Sequence, residues 1–230
     1  MTTGRPRVVS LVPSVTETLL AWGVRPAACT RFCEQPGLPH VGGTKNPDVA
    51  AIVALAPDLV VMDEEENRRE DHDALVAAGV TVQATAVRSV ADVDRALTEL
   101  AGRVGAHWAP IGSLAAGPLD HRAFVPIWRR PWMALGGPTY GQSLLASLGW
   151  ETIPGDRGPY PEVTLSEVAV LSPDAVLAPD EPYRFGPRHV PELSVAAPAV
   201  HLVDGKDLFW WGVRTPGARV RLGRVIGRFG

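Results

Sequence analysis

Ile52–Glu66 reads IVALAPDLVVMDEEE, and Val168–Pro182 reads VAVLSPDAVLAPDEP. Both stretches run from a leucine-bearing helical end into Pro-Asp, then an apolar run, then an acidic cluster. The resemblance extends upstream in the same order. NPDV (Asn46–Val49) is echoed by YPEV (Tyr160–Val163), and PSVTETLLAWG (Pro13–Gly23) by PTYGQSLLASLG (Pro138–Gly149). Three matches in one order are the signature of an internal repeat. The chain is therefore expected to fold as two similar α/β lobes.

Within each repeat, strands alternate with helices. RVVSLV (Arg7–Val12) is an unbroken β-branched run, the pattern of a strand buried on both faces. Ser14, three residues before Glu17, reads as a capping box opening a helix, with Val15, Leu19 and Trp22 on one side and Gly23 ending it. Asn46-Pro47 predicts the next helix start, with Val49, Ile52, Val53 and Ala56 as its buried stripe and DLVVM as the following strand. Thr164 and Glu167 form a second capping box, before the strand DAVLA. This alternation implies small parallel or mixed sheets. SVADVDRALTELAGRVG (Ser89–Gly105) is an amphipathic helix with Val90, Val93, Leu97 and Leu100 on one face. Pro110, Gly112, Gly117 and Pro118 then break the pattern. The expected organisation is an N-terminal lobe over 1–88, a helix and irregular connector over 89–122, and a C-terminal lobe over 123–230.

Composition excludes some classes. The net charge of −3 over 230 residues lacks the basic excess of a phosphate-backbone or anionic-membrane binder. The apolar run near the N-terminus is stopped at once by Pro13, too short for a signal-peptide core or a membrane span. The sequence reading is therefore a cytoplasmic protein without membrane insertion, with Cys29 and Cys33 as thiols.

VVSLVPSVTETLLAWG, VGGTKNPDVAAIVALAPDLVV, YPEVTLSEVAVLSPDAVLAPDEP and DGKDLFWWGVRTP together resemble the cobalamin and iron-chelate binding proteins that feed ABC importers. This is the helical-backbone metal receptor superfamily, with the class III periplasmic-binding-protein fold, and the similarity covers nearly the whole chain. It implies two α/β lobes joined by a helix, with a ligand cleft between them. It also implies a non-enzymatic binding protein for a corrinoid or other metal-chelate ligand, and a transporter or another protein as partner. An iron-siderophore or haem is the alternative ligand, and an enzyme or sensor acting on an anionic aromatic ligand is the alternative class. Relatives dock on transporters through glutamates, but the matched positions Ala50 and Ser166 are not acidic.

Candidate ligand contacts follow from residue type and place. FVPIWRRPWMALGGPTYGQSLL (Phe124–Leu145) reads as strand, turn and helix, the site at which open α/β sheets hold ligands. There Trp128 and Trp132 suit a flat chelate, Arg129 or Arg130 its carboxylate, phosphate or amide groups, and Tyr140 a further contact. Tyr160 matches an aromatic ligand position of the cobalamin-binding relatives. Phe209, Trp210 and Trp211, read as an alternating strand end, put one indole inward and the next outward beside Arg214. Tyr183, Ser14, Glu65 and Asn67 complete the set, the last two from MDEEENRRED, which otherwise reads as a solvated loop and first helical turn. No cofactor is built in. Cys29 and Cys33, with Glu34 and His40 near, lack the paired spacing of a zinc site, and Cys33 alone is a candidate metal ligand.

Overall fold

The structure, a computed structural model, describes residues 5–112 and 118–227. The chain forms two compact units: Met1–Val87 with Asp92–Pro110, and Arg88–Ala91 with Ile111–Gly230. Residues 113–117 of the expected connector lie outside the described residues.

The first unit contains β1 (Val8–Ser10), α1 (Pro13–Ala21), β2 (Ala28–Cys29), α2 (Val49–Ala54), β3 (Leu59–Asp63), α3 (Arg69–Ala77) and β4 (Val82–Thr85). Its sheet is parallel, in the order β2-β1-β3-β4. A fully parallel sheet needs both faces covered, and accordingly every residue of β1 and β3 is buried. Val9, Val60 and Met62 pack with Ile52 of α2 and Leu75 of α3 on one face. The long helix α4 (Val90–Val104) buries Val93, Leu97, Leu100 and Val104, and the Ser143 hydroxyl accepts the Val90 N–H at 3.1 Å.

The second unit contains β5 (His121–Phe124), β6 (Pro126–Trp128), β7 (Trp132–Ala134), α5 (Tyr140–Ala146), β8 (Trp150–Thr152), β9 (Glu162–Val163), α6 (Leu165–Val170), β10 (Ala175–Pro179), α7 (Val190–Leu193), β11 (Ala199–Val203), α8 (Gly205–Phe209) and α9 (Thr215–Ile226). Its main sheet is again parallel, β11-β10-β5-β8. Taking β5, β8, β10 and β11 as counterparts of β1, β2, β3 and β4, the two sheets have one strand order. Phe124, Val176 and Ala178 form its core with Val168, Phe185 and Leu193.

The repeat holds at the level of single hydrogen bonds. In the first unit the Arg7 N–H donates to Asp58 Oδ2 at 2.7 Å, and the Asp58 N–H donates back to the Arg7 carbonyl at 2.9 Å. The Arg7 guanidinium donates to the Leu55 carbonyl at 2.8 Å, closing the end of α2. In the second unit Arg122 and Asp174 exchange the same pair at 2.7 and 2.8 Å, and the Arg122 guanidinium donates to the Leu171 carbonyl. Ala56 and Ser172, just before the two prolines, both have left-handed backbones, with φ of 43° and 51°. Sequence similarity in APD and SPD thus encodes one helix-stop device used twice.

Local expectations meet several corrections. The Thr164–Glu167 capping box forms with both reciprocal hydrogen bonds. Ser14 caps nothing, because Pro13 occupies the first helical turn and Val12 is the N-cap. Asn46-Pro47 does not open α2; the Asp48 carboxylate accepts from the Ala51 N–H and takes that role. Val53 and Ala56 are exposed, so the buried side of α2 runs through Val49, Ile52 and Leu55. Phe124–Leu145 is not one strand, turn and helix: the β6–β7 hairpin lies between β5 and α5. Phe209 closes α8 and Trp210 and Trp211 follow it, so the three are not a strand end; the Asp204 carboxylate accepts the Lys206 N–H and starts a helical turn. Among the described residues no helix is long and apolar enough to cross a membrane.

Candidate functional site

The carboxyl ends of parallel strands are where open α/β sheets carry ligands. In the second unit, β5 and β10 are adjacent, and both lead into aromatic segments. The chain leaving β5 forms the antiparallel β6–β7 hairpin, and Trp132 and Met133 of β7 also pair with β9. Its turn is Arg129-Arg130, with Arg130 at φ 75°. The chain leaving β10 supplies Tyr183 and Phe185, then a 3-10 turn (Pro187–His189) and α7.

These segments build one aromatic patch. Trp128, 44% exposed, meets Tyr183 edge-on with ring centroids 5.6 Å apart. Trp132 stacks on Phe185 at 5.9 Å and 9°, so it supports the patch from within. Tyr183 lies 4.7 Å from Phe185 and 5.7 Å from the His189 ring. The His189 Nδ1 accepts the Gly186 N–H at 3.0 Å, which fixes the ring. Arg129 is bound twice by one carboxylate: Nε and Nη2 each reach Glu192 Oε2 at 2.9 Å. The arrangement offers an exposed indole and a phenol on rigid backing, which suits contact with a flat ring.

A second group follows β11. Trp211 is buried, whereas Trp210 is partly exposed beneath two cations, Lys206 Nζ at 4.8 Å and the Arg214 guanidinium at 5.9 Å from its ring centroid. Phe209 is half-buried at the end of α8. Asp207, 2% exposed, organises this group. It accepts from Arg221 Nε at 2.7 Å, Arg221 Nη2 at 2.6 Å and Arg214 Nη1 at 3.2 Å. Burial disfavours its charge, but the two guanidiniums outweigh that and hold its carboxyl below the usual range.

The remaining sequence candidates lie elsewhere or face inward. Tyr140 is 3% exposed, and its hydroxyl pairs with Thr215 Oγ1 at 2.9 Å inside the unit; burial drives its pKa up. Tyr160, 38% exposed, sits just before β9. Ser14 is buried in α1. Glu65 is exposed, and its carbonyl accepts from Lys45. Asn67, 7% exposed, spends its amide internally: Oδ1 accepts the Asp63 N–H at 2.9 Å, while Nδ2 donates to the Leu11 and Thr44 carbonyls at 3.2 and 2.9 Å. The charged stretch around it is not simply solvated, since Asp63 and Asp71 are buried as well. Burial raises the Asp63 carboxyl, against hydrogen bonds from the Thr85 hydroxyl and nearby backbone N–H groups.

Cys29 and Cys33 are both buried thiols. Thr16 Oγ1 donates to Cys33 Sγ at 3.2 Å, and Thr30 Oγ1 lies at the same distance from it. Burial, reinforced by Cys33, pushes the Cys29 thiol up to about 12, far from the thiolate a metal needs. Among the described residues no group of three or more His, Cys, Asp or Glu could hold a metal ion. The residues that anchor the second-unit patches, His189, Glu192, Asp207 and Arg221, were not legible as such; Glu192 acts through Arg129, 63 residues away, and Asp207 through Arg221, 14 away.

Comparison with known proteins agrees with this architecture. The family model described as periplasmic binding protein matches residues 8–109. The vitamin B12-binding protein of Salmonella choleraesuis (strain SC-B67) is 25% identical over 190 residues, spanning 75% of this chain and 71% of that protein. The periplasmic vitamin B12 binding protein BtuF of Vibrio cholerae superposes with a TM-score of 0.79 at 18% identity over 97% of each chain. A periplasmic heme binding protein from Pseudomonas aeruginosa gives 0.77 at 20% identity, over 96% of this chain and 92% of that one.

Proposed function

We propose that this chain, whose fold is that of the two-lobed periplasmic binding proteins, binds a flat metal-chelate ligand, a corrinoid in the first instance, for handover to an ABC transporter. The observation that carries this reading is the exposed Trp128 set against Tyr183 at the carboxyl ends of β5 and β10. An exposed indole gains by covering a macrocycle, and its edge-on contact with Tyr183, itself packed on Phe185, keeps the ordering cost small. Trp210, beside Lys206 and Arg214, adds a second aromatic contact in the same unit. The vitamin B12-binding relatives support a corrinoid. The ligand is cargo rather than a resident cofactor, and the residues assembled here bind and orient without performing a reaction.

A second reading, haem, is favoured by one contact. Tyr183 presents its phenol ring beside the exposed Trp128, and tyrosine is among the side chains that can hold haem iron. Calorimetry with cyanocobalamin, cobinamide and haem tests both. Trp128→Ala should weaken whichever ligand binds by about tenfold or more, as loss of a stacked aromatic does. Tyr183→Phe should change the absorbance of bound haem and leave corrinoid binding nearly intact. Failure of all three ligands to bind the wild-type protein would sink the proposal.

A further inference from the structure

In each unit a helix leads into the last strand of the parallel sheet, α3 into β4 and α7 into β11, but the two helices stop differently. α3 has nine residues and α7 has four. Val82 pairs with Val60 and Val200 with Val176, so the two strands share one register. Counting back from them sets Leu75 against Leu193, Gly79 against Ala197 and Val80 against Pro198. In the first unit Gly79 turns left-handed, at φ 80°, and the Val80 N–H closes on the Leu75 carbonyl at 3.1 Å. Neither half of that closure is open to the second unit. Ala197 carries a Cβ that disfavours the left-handed turn, and Pro198 has no N–H to give. The Ala196 N–H reaches the Leu193 carbonyl at 2.9 Å instead, and the chain runs on through Ala197 and Pro198 into β11.

Beside that opened turn lies a cavity of about 740 Å³, within the range of small-molecule sites. It sits at the amino ends of β5, β10 and β11, whereas the aromatic patch follows the carboxyl ends of β5 and β10. Pro173, Ala196 and Ala197 give it an apolar wall. The His121 ring lies on the buried Trp150, with centroids 4.9 Å apart at 27°, and is thereby held as a flat surface. Among the described residues, Asp174 is the one charged side chain of the lining, and no cation pairs with it. Its Oδ2 accepts the Arg122 backbone N–H, a neutral partner, while the Arg122 guanidinium turns to the Leu171 carbonyl and to Glu151. A carboxylate with no counter-charge beside an apolar wall attracts a cation more strongly than it would in open water, and repels an anion. We propose that this cavity is a second binding site, taking small organic cations: an apolar or aromatic body whose protonated amine meets Asp174. The proposal does not rest on the metal-chelate reading and shares no residue with the aromatic patch.

Tryptamine and indole-3-propionate are matched probes: they share an indole and a two-carbon arm and differ in the charge at its end. In calorimetry at low salt, wild-type protein should bind tryptamine about tenfold tighter than the anion, the scale of one charge-assisted hydrogen bond. Asp174→Asn keeps an oxygen for the Arg122 N–H and removes the charge, so it should abolish most of that preference. Ala197→Gly combined with Pro198→Val restores the turn of the first unit. It should weaken tryptamine binding about tenfold or more, since little of the lining is then left to bury the indole. Ser194→Trp, at an exposed lining position, should block the cavity by bulk alone, however the turn folds. Trp128→Ala should leave tryptamine binding unchanged, which separates the cavity from the aromatic patch. Absence of tryptamine binding, equal affinity for the two probes, undiminished binding by either blocking variant in its folded form, or loss of binding in Trp128→Ala each overturns the proposal. None of these results bears on cobalamin or haem binding, so the function proposed above stands or falls separately.

Discussion

Replacing Asn67 by alanine should destabilise the first unit by about 3 kcal/mol. The side chain makes three hydrogen bonds to backbone groups, from Asp63 and to Leu11 and Thr44, at 2.9, 3.2 and 2.9 Å. Each is worth about 1 kcal/mol net, and little water can replace them at a residue this buried. Asn67 ties the end of β3 to the start of α1 and to the loop before α2, so its loss should be felt beyond its own turn. Urea unfolding followed by circular dichroism measures this. With a slope of about 2–3 kcal/mol per molar, the midpoint should fall by roughly 1 M. Asn67→Asp should be at least as harmful at neutral pH, because it sets a carboxylate oxygen against two carbonyls. Part of its deficit should return once the introduced carboxyl is protonated. If Asn67 instead serves mainly as a ligand contact, the alanine variant loses affinity and keeps its stability. A change below about 0.5 kcal/mol, the range of an ordinary surface substitution, would refute the structural role.

Asp207 has its pKa depressed below the ordinary 3.8, so its contribution is present above that value and lost as pH falls through the folded-state titration. Asp207→Asn should therefore cost about 2 kcal/mol at pH 7, a gap that narrows in acid; a pH-independent difference in unfolding free energy would contradict this. Thr164→Ala should cost about 1 kcal/mol through loss of the capping box, while Ser14→Ala, which removes no cap, should cost less; equal losses in thermal unfolding would refute the assignment. Ala56→Gly and Ser172→Gly should each be neutral or stabilising by up to about 1 kcal/mol, since the left-handed backbone strains any residue with a Cβ. Clear destabilisation by either glycine would show that the methyl or hydroxymethyl group packs against something that matters more.

The strands and the repeat were readable because their signals are local. RVVSLV, DLVVM and DAVLA are β-branched or apolar runs bounded by proline, and APD and SPD mark the helix stops. The hairpin was not readable: Arg130 takes the left-handed turn that glycine or asparagine would have advertised, and Trp132 is placed by pairing with Val163. The burial of Asp63 and Asn67 was hidden for a similar reason, since their partners Thr85, Leu11 and Thr44 lie far off in sequence. Tryptophans and arginines could be named as candidates from type alone. Which of them would be clamped, as Arg129 and Arg214 are, depended on Glu192 and Asp207, and no spacing rule links those pairs.

The β6–β7 hairpin interrupts an otherwise faithful duplication. In the first unit the chain passes from β1 to α1 through Leu11 and Val12 alone; in the second, residues 126–134 fold between β5 and α5. Because the duplicated Arg–Asp clamps secure each sheet at its opposite end, while β7 is held by β9 and the core, the part of the hairpin free to vary is its tip, Arg129-Arg130. Transplanting a different tip there would rewrite cargo preference without touching the framework, a route by which one ancestral half could diversify while its twin stayed unchanged.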